Sequence, residues 1–418
     1  MTGEAQGANG PSRRAFAGAV LAAPLFLPRR VFGANDRIQL GVIGVGNRAN
    51  LLIDQLPETA EVTAVADCWL TRCRESAAKR KANWRIYQDH RQLLERKDLD
   101  GVIVATHDHG RVLCCINALQ AGKDIYAEKP LTVYVEEGRV LVRAVRKYGR
   151  ILQAGSQQRS MAMNQVACEF VRKGKLGRLL FVQGVNYTPP KRYEGLPEQP
   201  VPEELDWDAW QGQAPARPYN EKLHKKWMSW WDYSGGDMTN WGAHGIDQIQ
   251  MALGTDTTGP VEFWPLPEVA PNGVAFRYAN GVTVRLEMPT GGQLQGGAIF
   301  VGEKARIEIT RNDFRTDPPK LIKHLPPEEE VQKWNRAQWQ AKYHMQEWLD
   351  CMRTRKTPSA DVEIGHRSIT ICHLVNITRE LKRKLRWDPD AERFDGDAEA
   401  DGLLRRRRRA GYELPTLS

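Results

Sequence analysis

The sequence lacks the features of several protein classes. Its seven cysteines are an odd number, and they include neither a Cys-x-x-Cys pair nor a cysteine–histidine cluster. Neither a disulfide framework nor a metal site is therefore indicated. The net charge of +9 is mostly terminal, because residues 1–33 and residues 401–418 each carry +3. The remaining body is nearly neutral, which leaves no basic face that would indicate nucleic-acid binding.

The N-terminal segment is typical of an export signal rather than a membrane anchor. Ser12-Arg13-Arg14-Ala15-Phe16 precedes Ala17–Leu27, which is apolar and rich in small residues but too short to span a bilayer. Val31-Phe32-Gly33 offers small residues before a cleavage point. We predict a twin-arginine signal peptide over residues 1–33, recognition by the twin-arginine export machinery, no membrane anchor, and a periplasmic or otherwise exported protein. The alternative is a disordered basic leader.

A strand–turn–helix–strand unit follows the leader. The apolar strand Ile38–Ile43 leads into Gly44-Val45-Gly46-Asn47-Arg48-Ala49, a Gly-x-Gly-x-x-Ala turn that opens a helix, and a second apolar strand ends at Asp67. Glycines let the backbone approach a pyrophosphate, and the helix N-terminus offers N–H groups to it. We therefore predict a dinucleotide site at Gly44, Gly46, Asn47 and Arg48. The alternative is a Gly-rich turn without a ligand.

Asp67 indicates which dinucleotide is bound. The carboxylate that closes the second strand can accept hydrogen bonds from the adenosine ribose, and it would repel a 2′-phosphate. No Arg or Lys follows it until Arg72. The sequence therefore predicts NAD rather than NADP.

The order of the segments predicts an α/β fold. Apolar strands alternate with helices up to about residue 156, which is typical of a doubly wound parallel sheet. A Pro- and Trp-rich excursion (188–234) then precedes short extended segments at 274–278, 282–287, 298–302 and 305–310, which predict an antiparallel sheet. Helices at about 335–354 and 365–384 close the globular part. We assign the first domain to 34–156, the second to 157–386, and a charged, irregular tail to 387–418.

A loop of the first domain carries a lysine suited to catalysis. Ala127-Glu128-Lys129-Pro130 follows a strand, and loops at the carboxyl edge of a parallel sheet face the ligand crevice. Lys129 could donate a hydrogen bond to a substrate hydroxyl and stabilise it as it becomes an alkoxide. The alternative is a surface lysine before a turn-forming proline.

The segment Gly235–Gln248 predicts a helix with a polar face. Side chains at three- and four-residue spacing share this face, and they are Asp237, Asn240, His244, Asp247 and Gln248. His244 is the side chain best suited to exchange a proton near neutral pH. The alternatives are a structural histidine held by Asp247 and an ordinary solvated face.

Aromatic residues are concentrated just before and within this segment. Six of the thirteen tryptophans fall between positions 207 and 241. Aromatic faces suit the C–H faces of sugars, but large rings also fill irregular packing. We expect one or two of the cluster at a ligand and the rest in packing, among Trp207, Trp210, Trp227, Trp230, Trp231, Tyr233 and Trp241.

Together these motifs resemble the glucose–fructose oxidoreductase / inositol dehydrogenase (Gfo/Idh/MocA) family over about residues 36–386. The resemblance is carried by the Gly44-x-Gly46-x-x-Ala49 turn with Asp67, by Val104-Ala105-Thr106, by Glu128-Lys129-Pro130, and by His244-x-Ile246-Asp247. The leader, the Trp-rich excursion and Asp361-Val362-Glu363-Ile364-Gly365-His366-Arg367 are similar to the exported bacterial branch of that family.

The resemblance implies a Rossmann domain and a C-terminal α/β domain with a large open, mostly antiparallel sheet that makes dimer or tetramer contacts. It implies that Lys129 lies near the nicotinamide and the reacting hydroxyl, with a cis Lys129–Pro130 bond, and that His244 transfers the proton. Thr106, His109, Glu128 and Lys129 join the cofactor-binding set, and the substrate set is Gln157, Arg159, Asn240 and Trp241.

Four positions depart from the family pattern. Asn240 stands where many sugar dehydrogenases of the family have Asp, His107 where Pro is usual, Arg111 where His is usual, and Gly245 where the exported branch commonly has a second His. Asn240 gives His244 a neutral neighbour instead of a carboxylate. We therefore expect proton transfer by His244 to be under a different electrostatic influence from that in those sugar dehydrogenases.

The predicted function is that of an exported NAD-dependent oxidoreductase that transfers hydride between a sugar or polyol hydroxyl and the cofactor. Because NAD is scarce outside the cytoplasm, we expect the cofactor to be held tightly and recycled by a second substrate. Two alternatives stay open: a glycosidase that uses bound NAD transiently to oxidise the sugar and eliminate the aglycone, and a non-catalytic carbohydrate-binding protein.

Export should depend on the first arginine pair. Replacing Arg13 and Arg14 by lysine should leave folded, uncut precursor in the cytoplasm, as measured by cell fractionation and immunoblotting. The matched control replaces Arg29 and Arg30 by lysine and should be exported normally. Normal periplasmic accumulation of the Arg13→Lys, Arg14→Lys protein would reject the twin-arginine assignment.

Overall fold

A computed structural model describes residues 37–292, 294, 296–334 and 340–417. The segment assigned above as a signal peptide lies outside these residues. So do residues 335–339, where one predicted helix begins. Two sheets organise the described chain, and the candidate site lies between them.

The first domain alternates strands and helices. Its strands are β1 (Ile38–Ile43), β2 (Ala60–Ala66), β3 (Arg85–Tyr87), β4 (Gly101–Val104), β5 (Asp124–Ala127) and β6 (Leu152–Ala154). Its helices are α1 (Asn47–Asp54), α2 (Leu70–Arg80), α3 (His90–Leu94), α4 (Asp108–Gln120) and α5 (Val135–Tyr148). Within the described residues the strands form one six-stranded parallel sheet in the order β3-β2-β1-β4-β5-β6.

The strands of this sheet are apolar because helices cover both of its faces. Every residue of β4 and of β5 is buried. The pairing of Ile43 with Val104, and of Val104 with Ala127, brings the carboxyl ends of β1, β4 and β5 to one edge. The strand order reverses between β1 and β4, which is where open α/β sheets bind ligands.

The second domain begins with a 3₁₀ turn at Gln157–Ser160, and a second such turn spans Trp227–Ser229. Its helices are α6 (Ala162–Arg172), α7 (Trp207–Gln211), α8 (Glu221–Lys225), α9 (Gly236–Asn240), α10 (Gly242–Leu253), α11 (Glu328–Gln332), α12 (Lys342–Thr354), α13 (Val362–Leu381) and α14 (Ala398–Gly402). Its strands are β7 (Leu179–Val185), β8 (Glu262–Pro265), β9 (Val274–Arg277), β10 (Thr283–Met288), β11 (Ala298–Gly302), β12 (Arg306–Ile309), β13 (Phe314–Asp317), β14 (Leu385–Asp388) and β15 (Arg393–Phe394).

These strands form a mixed sheet. In the part of the chain described, nine strands pair in the order β13-β12-β11-β7-β10-β9-β8-β14-β15. Only β7 and β10 run parallel, and the other neighbouring pairs are antiparallel. Helix α10 packs against α6, α13 and the strand β7. The predicted fold class, a parallel doubly wound sheet followed by a large, mostly antiparallel one, is confirmed.

The structure corrects the prediction for the start of the C-terminal tail. The sequence predicts irregular chain from residue 387, but β14 and β15 pair there and α14 follows. Trp387 and Phe394 are buried with ring centroids 5.0 Å apart. Burial of these two apolar rings therefore stabilises the charged segment against the edge of the second sheet. Among the helices described, none is both long enough and apolar enough to cross a membrane.

The Pro- and Trp-rich excursion folds around an aromatic core of its own. The rings of Trp207 and Trp210 stack with centroids 4.4 Å apart, and Tyr233 lies 5.4 Å from Trp210. The N–H of Asp206 donates to the carbonyl of Cys68 at 2.9 Å, directly after the second strand of the first domain. The excursion is therefore fastened to the carboxyl edge of the parallel sheet.

Candidate active site

A single cleft of about 1790 Å³ follows the carboxyl edge of the parallel sheet. One end is lined by the Gly44–Arg48 turn and Asp67, and the other by Lys129, Asn240 and His244. The second end combines Lys129 of the first domain with Asn240 and His244 of the second, so the cleft joins the predicted dinucleotide site to the predicted chemical site.

The Gly-rich turn has the shape that a phosphate group requires. Gly44 has φ +83°, and an added Cβ would lie 2.7 Å from the backbone nitrogen of Thr106, so only glycine fits. Gly46 is different, because a Cβ built on it would meet no atom within 4 Å. Helix α1 begins next to Gly46 without a side-chain cap. Its first N–H groups therefore face the open space into which a pyrophosphate would fit.

Asp67 is held in place by the same turn. Its carboxylate accepts the N–H of Val45 at 2.7 Å and the N–H of Trp69 at 2.9 Å, and the residue is 7% exposed. The guanidinium of Arg72 stacks over the ring of Trp69 at 5.1 Å. Asp67 therefore has a fixed position at the cleft wall, which suits a carboxylate that accepts ribose hydroxyls.

Glu128 connects the two ends of the cleft. Its Oε1 accepts hydrogen bonds from Arg48 Nε at 2.6 Å and Gln157 Nε2 at 3.3 Å, and its Oε2 accepts the N–H of Lys129 at 3.1 Å. A Cβ on Gly155 would lie 3.0 Å from this carboxylate, so the glycine makes room for it. The structure brings Arg48, Glu128 and Gln157 together as one network between the turn and the chemical end.

Lys129 is directed at Asn240. Its Nζ donates to Asn240 Oδ1 at 2.7 Å and to the Asn240 carbonyl at 3.1 Å. Burial lowers the pKa of Lys129 to about 8, against the opposing effect of Glu128. The Lys129–Pro130 peptide bond is cis, as the resemblance implies. Lys129 is thus a well-placed donor whose charge is sensitive to what binds beside it.

His244 lies on the first turn of α10 and lines the cleft, and it is 3% exposed. Burial, followed by the positive charges of Arg311, Lys129 and Arg48, holds the pKa of His244 well below its usual range. The imidazole is therefore neutral at pH 7 and has an unprotonated ring nitrogen, and the same shift makes that nitrogen a weaker base.

Asp247, which the sequence offered as a structural partner of His244, is bonded to other side chains. Its carboxylate accepts Arg159 Nε at 2.8 Å and the hydroxyl of Ser368 at 2.7 Å. Of the polar face predicted on this segment, Asn240 and His244 reach the cleft, whereas Asp237, Asp247 and Gln248 do not line it.

The structure places three predicted site residues away from the cleft. His109 lies in the first turn of α4, and its Nε2 contacts the Trp210 carbonyl at 2.8 Å within the aromatic core of the excursion. Arg159 forms a buried ion-pair cluster with Asp247 and, at 2.7 Å, with Asp256. Trp241 joins α9 to α10, but it does not line the cleft. In each case neighbouring protein groups, rather than a ligand, account for the position of the side chain.

Sequence reasoning missed Arg311, which lies in the turn between β12 and β13 and lines the chemical end of the cleft. It also missed His107, which faces the cleft with its ring centroid 4.7 Å from Trp210. Nothing in the local sequence marks Arg311, because its role comes from the packing of the second domain. Of the aromatic cluster, Trp210 and Trp227 line the cleft, and their contact with a ligand stays a prediction.

Comparison with known families agrees with this geometry. The model of an oxidoreductase family with an NAD-binding Rossmann fold matches residues 38–156, and the model of its C-terminal alpha/beta domain matches residues 190–414. The chain belongs to the Gfo/Idh/MocA oxidoreductase family. Its first domain is an NAD-binding domain, and its second is the family's α/β domain.

Individual members of the Gfo/Idh/MocA family are distant relatives. Inositol 2-dehydrogenase of Salmonella typhimurium is 27% identical over 172 residues, which are 38% of this chain and 51% of that protein. The chain thus spans about half the length of the curated relatives it matches. The WlbA dehydrogenase of Bordetella pertussis, solved with NADH and UDP-GlcNAcA, has a TM-score of 0.61 and 18% identity over 84% of this chain and 99% of that chain. Scyllo-inositol dehydrogenase of Lactobacillus casei, solved with NAD(H) and scyllo-inositol, has a TM-score of 0.58 and 14% identity, with coverages of 84% and 99%.

The residues of the first domain fit NAD. Gly46 leaves the space for a pyrophosphate, the first turn of α1 offers N–H groups, and Asp67 is fixed where an adenosine ribose would lie. Among the described residues, no group of three or more His, Cys, Asp or Glu side chains is arranged to hold a metal ion.

Asp67 should determine the choice of cofactor. Asp67→Ala removes the carboxylate that would accept hydrogen bonds from the ribose and repel a 2′-phosphate. The affinity for NAD should therefore fall by about 10- to 100-fold, and the difference between the affinities for NAD and NADP should narrow. Quenching of tryptophan fluorescence by each reduced dinucleotide measures both affinities. Glu75→Ala, which removes another carboxylate from the same cleft wall, is the matched control and should change neither. Tighter binding of NADP than NAD by the wild type would contradict the assignment.

Proposed function

We propose that this protein is an exported, NAD-dependent oxidoreductase that acts on a hydroxyl group of a sugar or polyol. The observation that carries the proposal is the meeting of Lys129, Asn240 and His244 at the end of a cleft whose other end fits NAD. The inositol dehydrogenases among the relatives support a polyhydroxylated substrate.

In this proposal NAD, when bound, accepts the hydride that leaves the substrate carbon. His244 takes the hydroxyl proton, since its imidazole is kept neutral by burial and by nearby positive charge. Lys129 donates a hydrogen bond to the same oxygen and stabilises it as negative charge develops. Asn240 holds the Lys129 ammonium at 2.7 Å, so the lysine is oriented before the substrate arrives.

Asn240 can also orient Lys129 in place of the aspartate that many sugar dehydrogenases of the family have at this position. Burial lowers the pKa of Lys129 to about 8, and the neutral amide of Asn240 orients the lysine without adding a negative charge beside it. A lysine with this pKa exchanges protons near neutral pH. We therefore propose that proton release from the site is shared between His244 and Lys129.

We also propose that the cofactor is retained between turnovers. The C-terminal tail is bonded to the excursion at the cleft wall, because Arg409 Nε donates to the Gly212 carbonyl at 2.7 Å and the Arg409 guanidinium pairs with Asp208. Arg406 Nη2 also donates to Glu137 of α5 at 2.8 Å. Residues 411–413 of the tail line the cleft with Gly212. Such a closure suits an enzyme that works where NAD is scarce and that recycles its cofactor with a second substrate.

Export and assembly complete the proposal. The twin-arginine segment supports a periplasmic or otherwise exported location, because that route carries folded proteins with their cofactors. The large open sheet supports a homo-oligomer, either a dimer or a tetramer.

His244 and Lys129 should serve the same chemical step. His244→Ala should lower turnover by on the order of 10²–10⁴-fold while NAD affinity stays nearly unchanged, because the histidine belongs to the second domain. Lys129→Ala should act similarly, and the double variant should lose less than the product of the two losses. Gln248→Ala, on the same helix but outside the cleft, is the control and should affect stability alone.

Turnover is measured as NADH formation at saturating NAD with a panel of sugars and polyols, and thermal unfolding of each variant is measured in parallel. A stable His244→Ala protein with near-normal turnover would end the catalytic assignment. Release of an aglycone from chromogenic glycosides without added NAD would identify the glycosidase alternative instead.

Closure by the tail should slow the loss of NAD. Arg409→Ala removes the pair with Asp208 and the bond to Gly212, so dissociation of NADH should accelerate by about two- to fivefold, the scale of a partly exposed ion pair. Arg407→Ala changes the same net charge and is the matched control, since Arg407 makes no such bond to the excursion within the described residues. Stopped-flow displacement of NADH measures the rate, and equal rates for the two variants would refute the proposed closure.

A further inference from the structure

The Trp-rich excursion of the second domain forms one wall of the nucleotide end of the cleft. The N–H of Asp206 donates to the carbonyl of Cys68 at 2.9 Å, directly after Asp67. The excursion then passes the first turn of α4, where the Trp210 carbonyl lies 2.8 Å from His109 Nε2. This part of the excursion therefore runs from the loop beside the predicted ribose site to the start of the helix that follows β4.

Three residues of the excursion line the cleft with buried polar atoms that have no hydrogen-bond partner in the described part of the chain. These atoms are both amide atoms of Gln213, the indole nitrogen of Trp210 and Nε2 of His224. None of the three residues is more than 5% exposed. Buried polar groups in folded proteins are almost always hydrogen-bonded. Three such residues in one cleft wall therefore indicate a ligand with donors and acceptors of its own.

Gln213 lies in a turn whose backbone is held on both sides. The N–H of Ala214 donates to the Gln211 carbonyl at 3.0 Å, and Arg409 Nε of the tail donates to the Gly212 carbonyl at 2.7 Å. A glutamine amide can donate one hydrogen bond and accept another side by side. Because the turn that carries this amide is already fixed, less conformational freedom is lost when a ligand binds to it.

Aromatic rings accompany these polar groups. The ring centroid of His224 lies 5.4 Å from that of Trp69 and 5.3 Å from that of Trp210, and His107 lies 4.7 Å from Trp210. Burial lowers the pKa of His224 to about 4, so its ring is neutral at pH 7. The indole of Trp210 and the amide of Gln213 carry no charge either. Neutral rings beside an amide suit a flat, uncharged base, which combines π faces with donors and acceptors at its edge.

We propose that the excursion recognises the adenine of NAD, with the Gln213 amide hydrogen-bonded to the edge of the base. This inference rests on the NAD binding of the proposed function, and it assigns part of the cofactor site to the second domain. The adenine edge presents an amino donor beside a ring-nitrogen acceptor, which a glutamine amide matches with two hydrogen bonds. The base is attached to the ribose that Asp67 is positioned to bind, and Asp206 of the excursion lies beside that loop.

The place of this wall in the cleft favours the base over the sugar substrate. Aromatic rings and amides also bind sugars, so their chemistry alone would suit either ligand. The groups proposed to act on the sugar hydroxyl, Lys129 and His244, line the opposite end of the cleft from Asp67. A sugar bound beside the loop that follows Asp67 would lie away from those groups, whereas the adenine of a dinucleotide bound at Asp67 would not need to reach them.

The test compares NAD with nicotinamide ethenoadenine dinucleotide, whose added ring blocks the hydrogen-bonding edge of the base and keeps its flat face. The wild type should bind NAD about 10- to 100-fold more tightly in calorimetry, the scale of two hydrogen bonds. Gln213→Met keeps the length of the side chain and removes the amide, so it should abolish this preference by weakening NAD. Gln120→Met, which replaces an exposed glutamine of α4 in the same cleft, is the matched control and should retain the preference. Nicotinamide mononucleotide, which has no adenine, should bind both variants as it binds the wild type.

The outcomes separate this inference from the proposed function. Equal affinity of the wild type for NAD and the etheno analogue would overturn the inference, and so would an unaltered preference in Gln213→Met. Parallel losses of NAD and nicotinamide mononucleotide affinity in Gln213→Met, with a lower melting temperature, would show a merely structural glutamine and overturn it as well. A Gln213-dependent preference for NAD without oxidation of any sugar or polyol would support the inference and reject the oxidoreductase. Failure of the wild type to bind NAD would overturn both.

Discussion

The rest of the site depends on the hydrogen bonds and the ion pair that the buried carboxylate of Glu128 forms. A buried charge is tolerated only when it is paired and hydrogen-bonded. Glu128, at 2% exposure, meets this requirement through Arg48, Gln157 and the backbone of Lys129. These partners come from the dinucleotide turn, from the start of the second domain and from the lysine loop. The hydrogen bonds to this one carboxylate therefore fix the position of the Gly-rich turn relative to the proposed catalytic groups.

The electrostatics of the chemical end follow from the same arrangement. Burial, followed by the positive charges of Arg311, Lys129 and Arg48, lowers the pKa of His244. They keep the imidazole neutral, and the amide of Asn240 orients Lys129 without cancelling its charge.

The features that sequence reasoning predicted are those encoded locally. The Gly44–Ala49 turn, Asp67 and Lys129 each follow a buried strand, so chain order alone places them at one sheet edge. The sequence could not show that His109 and Arg159 lie outside the cleft lining, because the groups that they contact, the Trp210 carbonyl and the Asp247 carboxylate, lie 101 and 88 residues away in the chain. The sequence did not predict Arg311 for the same reason, because the turn that carries Arg311 is hydrogen-bonded by Asn164 of helix α6. The fold of the tail depended on the burial of Trp387 and Phe394, which its charged composition concealed.

The central claim is that the cleft holds NAD as the partner of a substrate hydroxyl. Native mass spectrometry of the purified protein, with absorbance of the nucleotide released on denaturation, tests it most directly. The account predicts one NAD or NADH per chain, either retained through purification or taken up on addition of NAD, with no comparable uptake of NADP. A protein that stays free of nucleotide at saturating NAD, or that takes up NADP instead, would contradict it.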